Sequence, residues 1–365
     1  MAGEARAGAP TLKDVAALAG VSYRTVSNVI NGHRYISDAT RVSVEAAIAE
    51  LGYRPQQAAR QLRSGRSMLL TLSVPFVSHP YFAQLAHAVV TEAERVGYDV
   101  VIDETRGLVE RELRVAGGFR TLLTDGIIFS PLSIDVDQIV AAQSATPLVL
   151  LGERPRDARV DSVVVNSVTS SAAATRHLID AGCRAPGFLG AVSPGVVGAP
   201  PADLRLGGYQ RALDEAGFTV RPEHVIAVSQ WDVTGPDGVY TRQEGYDRMR
   251  EVLACPGGLA EMDGLVCAND QLAVGALRAL REAGLNVPGD ISVIGWDDIP
   301  EAGFTSPPLT TIAPDVNAIA RLAIEVLLRR IADRDAAPAL MSAPYRLVER
   351  ESTRVPGHSE NQPSG

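Results

Sequence analysis

From Met68 onward the chain alternates short apolar runs with helix-length stretches, and this alternation restricts its fold more than any other feature. The runs Leu69–Val74, Tyr98–Ile102, Gly126–Phe129, Pro147–Leu151, Gly187–Gly190, Val225–Val228, Leu265–Cys267 and Ile291–Ile294 have the length of strands. Stretches 81–96, 169–181, 204–216 and 271–283 lie between them, and Gly97, Gly182, Gly217 and Gly284 stand where glycines end helices. Apolar strands joined through helices predict parallel sheets covered on both faces. At 365 residues and 46% hydrophobic, the chain exceeds one compact core, so two or three units are expected. No apolar run approaches the ~18 residues of a membrane span. The first ten residues carry no apolar signal core, so a cytoplasmic protein is expected. Cys183, Cys255 and Cys267 are odd in number and scattered, which fits neither a disulfide framework nor a metal site. No cofactor is expected.

In open parallel sheets, ligands bind beyond the carboxyl ends of the strands. Ser130, Asn269, Asp270 and Asp297 follow apolar runs in this way. His79-Pro80-Tyr81-Phe82 follows the first run, and Trp231-Asp232 follows Val225–Val228. A carboxylate, an amide, an arginine and flat aromatics suit a sugar-like or heterocyclic ligand, with rings stacking on its apolar face. Each residue also has an ordinary reading as a helix cap or a packing residue. Asn269 and Asp270 serve equally well to cap the helix at 271.

The first 66 residues differ in charge. They hold nine basic and five acidic side chains, a net of +4, whereas the whole chain stands at −9 and the remainder therefore at −13. A basic head on an acidic body predicts that only the head meets a polyanion. Thr11-Leu-Lys-Asp14 reads as a capping box, with Leu12, Val15, Ala16 and Ala19 at helical spacing. Gly20 ends that helix, Val21 reads as a buried turn residue, and Ser22 caps a second helix with Val26, Val29 and Ile30 inward. A third helix runs from its cap Ser37 to Leu51, with the stripe Val44, Ala47, Ile48 and Leu51, and closes at Gly52. Two short helices joined by a glycine-containing turn make a helix-turn-helix, whose second helix reads the major groove. Tyr23, Arg24 and Asn28 are then its reading side chains, Arg24 as a bidentate partner of guanine, Asn28 of adenine, and Tyr23 as a contact to bases or phosphate. Ser22, Thr25, Asn31, Tyr35, Ser37 and Thr40 are placed to bond phosphates. A three-helix bundle for protein contacts has the same pattern. Beyond Pro55, the stretch Gln56–Arg63 reads as a linker, or as a hinge helix that folds on DNA with Leu62 as a minor-groove wedge.

The runs TLKDVAALAGVSYRTVSNVING, YISDATR, AELGYRP and AARQLRSGRS together resemble the lactose-repressor (LacI/GalR) family of transcription regulators without a break over residues 11–67. VCANDQLAVGAL, ISVIGWDDIPEAGFTSPPLTTI, LRLGGYQRAL and YRLVEREST extend the resemblance over residues 68–353. The resemblance implies an all-α helix-turn-helix head on an α/β, two-lobed, periplasmic-binding-protein-like body with parallel sheets. It implies a head at 11–54, a hinge helix and linker at 55–66, and an effector-binding and dimerisation body at 67–353. Lobe one is then about 67–167 with 316–341, and lobe two about 168–315 with 342–353. Residues 1–10 and 354–365 are read as loose tails. Thr11 joins the DNA-contacting set, and Leu62 matches the residue that pries open a central base step, with Ala59 one turn earlier. Arg205, Asn269 and Asp297 match effector-binding positions, and Tyr81, Phe82, Ser130 and Trp231 match pocket-lining ones. Gly152, with Glu153 beside it, stands where many sugar-responding members carry an aspartate, Trp296 where they carry Tyr or Phe, and Val316 where some carry an aromatic. The expected partners are a double-stranded, inverted-repeat DNA operator, a small effector of carbohydrate type and a second copy of the chain. No leucine heptad follows Arg354, so a homodimer is expected rather than a tail-tied tetramer.

A solute-binding protein for transport would account for the body but not the head. An enzyme finds little support: there is no G-x-x-x-x-G-K-[ST], G-x-G-x-x-G or H-E-x-x-H run, and His33, His79, His87, His177, His224 and His358 are dispersed. The reading makes a direct prediction for the head. Arg24→Ala lowers operator binding by about 1–3 kcal/mol and relaxes preference at one base pair per half-site. Selection of bound sequences from a random DNA pool checks this; an unchanged preference would remove Arg24 from base reading.

Overall fold

The computed structural model describes residues 10–30, 35–53, 66–118, 124–152, 159–192, 200–228, 239–259 and 261–355. Asn31, Ala59, Leu62, Glu153 and Trp231 lie outside the described residues, as do 54–65 of the hinge stretch, the first nine residues and the last ten. The chain divides into two compact units, Met1–Ser67 and Met68–Gly365.

The first unit is a small helical core. Helices Leu12–Ala19, Tyr23–Ile30 and Asp38–Leu51 bury Val15, Ala16, Val26, Val44 and Ala47 against one another. Tyr53 joins this core from beyond the third helix, which the apolar stripe alone did not indicate. Gly20 and Gly52 close their helices with φ of 67° and 60°, the left-handed conformation that favours glycine. Val21, expected to be buried, is only half-buried. The expected capping box between Thr11 and Asp14 is present. Asp14 accepts from the Thr11 backbone N–H at 2.7 Å and from the Thr11 hydroxyl at 2.7 Å. Those two bonds hold the Asp14 carboxyl below its usual range.

The second unit holds two six-stranded sheets. In lobe one the order is β11-β5-β4-β3-β1-β2, with β1 Leu69–Val74, β2 Asp99–Glu104, β3 Gly126–Phe129, β4 Leu148–Gly152, β5 Asp161–Val164 and β11 Leu340–Ser342. In lobe two the order is β12-β10-β9-β8-β6-β7, with β6 Pro186–Ala191, β7 Val225–Ala227, β8 Gly264–Cys267, β9 Ser292–Trp296, β10 Thr310–Pro314 and β12 Tyr345–Val348. Every pairing is parallel except β10 with β12. Helices Pro80–Arg95, Ser167–Asp180, Pro200–Glu215 and Asp270–Glu282 fill the expected stretches, and Val109–Ala116, Val136–Ala142, Arg242–Ala254 and Val316–Ala332 add to them. The chain passes between the sheets after β5, after β10 and after β11. Helices Arg242–Ala254 and Asp270–Glu282 cross so closely that a Cβ on Gly245 or Gly275 would overlap the other helix's backbone. Arg354, which the sequence placed in the terminal tail, is anchored: its N–H bonds Ser292 and its guanidinium bonds the carbonyls of Gly289 and Asp290.

Asp270 explains how lobe two holds its strand ends together. Its buried carboxylate accepts from the Thr311 hydroxyl at 2.6 Å and from the Ile299 N–H at 2.9 Å, joining the first turn of a helix to β10 and to the loop after β9. Burial pushes its pKa up to about 6, against the downward pull of these two bonds. A carboxyl raised in the folded state is stabilising in its protonated form, so wild type loses this contribution as pH rises from about 4 to about 6. Asparagine can serve Ile299 as acceptor and Thr311 as donor without a charge. Asp270→Asn is therefore expected to gain about 1–3 kcal/mol relative to wild type between pH 4.5 and pH 7. Urea unfolding at both pH values checks it; parallel pH dependences in the two proteins would contradict it.

Candidate functional site

On the head, Tyr23 and Arg24 are exposed on the first turn of helix Tyr23–Ile30, and Asn28 is half-buried one turn further. Ser22 accepts from the Thr25 N–H at 3.0 Å and shares a 2.8 Å hydroxyl bond with Thr25. Ser37 and Thr40 repeat this pair on the third helix, at 3.3 and 2.8 Å. These four residues are thus helix-start pairs in their own right. Tyr35 has its whole side chain in solvent. Thr11 is exposed beside Asp14 at the start of the first helix.

In the body, the carboxyl ends of both sheets open on one cavity of about 150 Å³ between the lobes. Tyr81, Phe82, Ser130, Arg205, Asn269 and Asp297, six of the seven expected effector residues, line it; the seventh, Trp231, lies outside the described residues. Lobe two supplies most of the polar groups. Arg205, on helix Pro200–Glu215, donates to the Ala268 carbonyl and lies with its guanidinium carbon 3.6 Å from the Trp296 ring centre, a cation–π stack. Trp296 is itself fixed by its indole N–H to Ser170, 3.0 Å. Asp297 follows β9 with φ at 127°, a conformation rare for a residue with a Cβ, and its N–H is held by the Ile312 carbonyl at 2.8 Å. Asn269 does cap helix Asp270–Glu282, its Oδ1 accepting from the Leu272 N–H at 2.9 Å. The same residue lines the cavity, so the two readings of Asn269 are compatible. For Asp270 the capping reading gives way to the strand-end bonds described above.

Lobe one supplies mainly apolar walls: Phe76, Leu132, Ile134, Leu150, Val163 and Ile319. Tyr81 and Phe82 meet edge to face, 5.2 Å between ring centres. Glu112 is buried behind the wall and accepts three backbone N–H bonds, from Leu132, Ser133 and Ile134, which fixes the loop after β3. Gly152, at the position where many sugar-responding members carry an aspartate, has φ at 150° and lines the cavity. A side chain there would meet backbone strain, which accounts for the glycine. Val316 opens helix Val316–Ala332, half-buried.

His79, which follows the first apolar run, and Trp296, which stands where sugar-responding relatives carry Tyr or Phe, both line the cavity; neither is among the effector-binding positions the resemblance implies, and nothing in the sequence pointed to Tyr240. His79 stands directly before a proline at a helix start and directly after a strand loop, which was its available signal. Burial first, then the charges of Arg205 and Arg242, hold its imidazole down to about 4, so it is neutral at pH 7. Tyr240 sits beyond the 231–238 segment, where no periodic pattern marked it. Among the described residues no group of His, Cys, Asp and Glu is arranged to hold a metal ion, and no helix is long and apolar enough to cross a membrane. Burial raises the Cys183 and Cys267 thiols, Cys183 to about 11, as expected of inert core thiols.

Comparison with known proteins separates a head on such a body from a transport receptor. Residues 11–56 match the family described as bacterial regulatory proteins, lacI family. The chain belongs to that family. Residues 175–353 match the periplasmic binding protein-like domain. The ribose operon repressor of Escherichia coli (strain K12) is 34% identical over 325 residues, 88% of this chain and 93% of that protein. A lac repressor dimer solved with operator and the anti-inducer ONPF is 28% identical, covering 95% of this chain and 100% of that one, with a TM-score of 0.79. The transcriptional regulator CelR, solved with cellobiose, is 29% identical over 94% of this chain and 99% of that one, with a TM-score of 0.67. As a member of the lacI family, the chain is a sequence-specific DNA-binding transcription regulator.

Proposed function

We propose that this lacI-family regulator is a repressor whose operator affinity is set by a carbohydrate bound between the two lobes. The observation that carries this is the meeting of Arg205, Asn269 and Asp297, distant in sequence, in one cavity faced by Tyr81 and Phe82. A carboxylate, an amide and a guanidinium serve hydroxyls, and the paired rings serve the C–H face of a sugar. That CelR was solved with cellobiose supports the ligand class. The lac repressor dimer solved on its operator supports a homodimer on inverted-repeat double-stranded DNA. In that arrangement Tyr23, Arg24 and Asn28 read bases. Thr11, Ser22, Thr25, Tyr35, Ser37 and Thr40 lie along the backbone, their polar groups bonding phosphates. The cleft holds its ligand without turning it over, so incubation leaves the sugar chemically unchanged.

A ligand shifts DNA affinity only through unequal binding to the two lobe arrangements. Removing a cleft contact therefore reduces the response to ligand and not the unliganded affinity. Asp297→Asn and Arg205→Ala are expected to keep operator affinity near wild type without sugar. Each is expected to raise the sugar concentration needed for half-response roughly 10–100-fold, the effect of losing a charge-assisted hydrogen bond. Operator titrations at graded cellobiose and ribose concentrations, with thermal melting to confirm folding, measure this. A folded Asp297→Asn protein that responds like wild type removes Asp297 from the site; the same result for Arg205→Ala places the ligand elsewhere.

A further inference from the structure

One cavity residue makes a contact that joins the two lobes. His79 belongs to lobe one, at the start of helix Pro80–Arg95, and Asn269 belongs to lobe two, at the end of β8. Their side chains meet across the cleft, Asn269 Nδ2 to His79 Nε2 at 3.3 Å. The direction of this bond is determined by the rest of the Asn269 amide. Its Oδ1 accepts from the Leu272 N–H, so the other amide atom is the nitrogen, a donor. That nitrogen also donates to the Tyr240 carbonyl at 3.2 Å, consistent with the same orientation. His79 Nε2 must then be the acceptor, which requires a ring without a proton there. A neutral imidazole carries its one proton on the other nitrogen, Nδ1. Among the described residues His79 Nδ1 has no hydrogen-bond partner; the atom is covered from solvent, and the residue that carries it lines the cavity. A buried N–H left unpaired costs free energy that a ligand acceptor can recover.

We propose that His79 is a specificity-determining residue of the cleft: Asn269 fixes its tautomer so that Nδ1–H faces the effector as a donor, and only effectors placing an oxygen or nitrogen acceptor there are well bound. The proposal rests on reading the cleft as the effector site. It also makes ligand contact and lobe closure one event, because the ring that donates to the ligand is the ring that Asn269 holds from the other lobe. A cation cannot fill this role, since protonation of Nε2 would break the Asn269 bond. A ligand presenting only donors or a methyl group at this point would leave Nδ1–H unpaired.

Two amide side chains separate the two functions of the ring. Asparagine sets its amide where Nδ1 stands, and glutamine where Nε2 stands. His79→Asn can therefore retain a donor toward the ligand while losing the bond to Asn269. His79→Gln can retain an acceptor toward Asn269 while losing the donor. The first measurement is a two-bond proton–nitrogen correlation spectrum of the full chain labelled at histidine, without ligand at pH 7, with His79→Gln used to assign the signal. The expected result is a neutral ring protonated at Nδ1; a ring protonated at Nε2, or charged, overturns the inference. The second is calorimetric titration with cellobiose and with ribose, in which His79→Gln is expected to weaken binding about tenfold more than His79→Asn. Equal losses, or the reverse order, also overturn it. The tautomer is read on the free protein, so it decides the inference even if both sugars fail to bind wild type; that failure counts against the carbohydrate reading alone.

Discussion

The body depends on two adjacent buried side chains at the end of β8. Asn269 and Asp270 point their polar atoms in different directions, and each direction fixes a different part of the fold. Asn269 caps the helix that follows, holds the Tyr240 carbonyl and reaches His79 in the opposite lobe. Asp270 holds the Ile299 amide and the Thr311 hydroxyl, which positions the loop carrying Asp297. The cleft can thus be described as what two turns of backbone at one strand end arrange around themselves. A buried carboxylate is costly to hold without bonds to it. Here both oxygens are used.

The two lobes bring unlike chemistry to the cleft. Lobe two presents Arg205 on the Trp296 ring, Asn269 and Asp297, each held by a further contact in its own lobe. Lobe one presents Phe76, Tyr81, Phe82, Ile134 and Leu150, with Glu112 tying down the loop behind them through three amide bonds. A ring-shaped ligand with hydroxyls on one edge and C–H bonds on its face can satisfy both walls only when they are brought together. Such a ligand binds the closed arrangement more tightly than the open one, which is the condition for a ligand to shift a population of lobe arrangements. The prepositioned polar groups also reduce what the ligand must order on binding.

Much of this was legible in the sequence, for identifiable reasons. Parallel strands buried on both faces are written as continuous apolar runs, so β1, β3 and β8 stood out. Four strands did not stand out: β5 has four residues and begins with a buried aspartate held by Arg329 and Arg330, β11 has three, β12 is an edge strand, and the interior strand β10 opens on two threonines and closes on a proline. Helices Val109–Ala116 and Arg242–Ala254 are rich in charge and bury few residues, which leaves a thin apolar stripe. In the cleft, Arg205, Asn269 and Asp297 were found because they lie inside extended motifs. The position of His79 after the first strand was legible, but its contact with Asn269 was not, because the two are 190 residues apart and no local pattern carries a contact of that range. The glycine at 152 likewise makes sense only once its φ of 150° is known.

The central claim is that the lobe cavity and the operator-reading head belong to one linked equilibrium. Linkage requires reciprocity: if a ligand changes operator affinity by some factor, operator must change ligand affinity by that same factor. The most direct measurement is the dissociation constant of cellobiose for the full chain, alone and saturated with its selected operator, beside the operator dissociation constant with and without saturating cellobiose. The account predicts two ratios that agree and differ clearly from one. Cellobiose affinity that is unchanged by operator, with operator affinity unchanged by cellobiose, would contradict it for this ligand and this cleft.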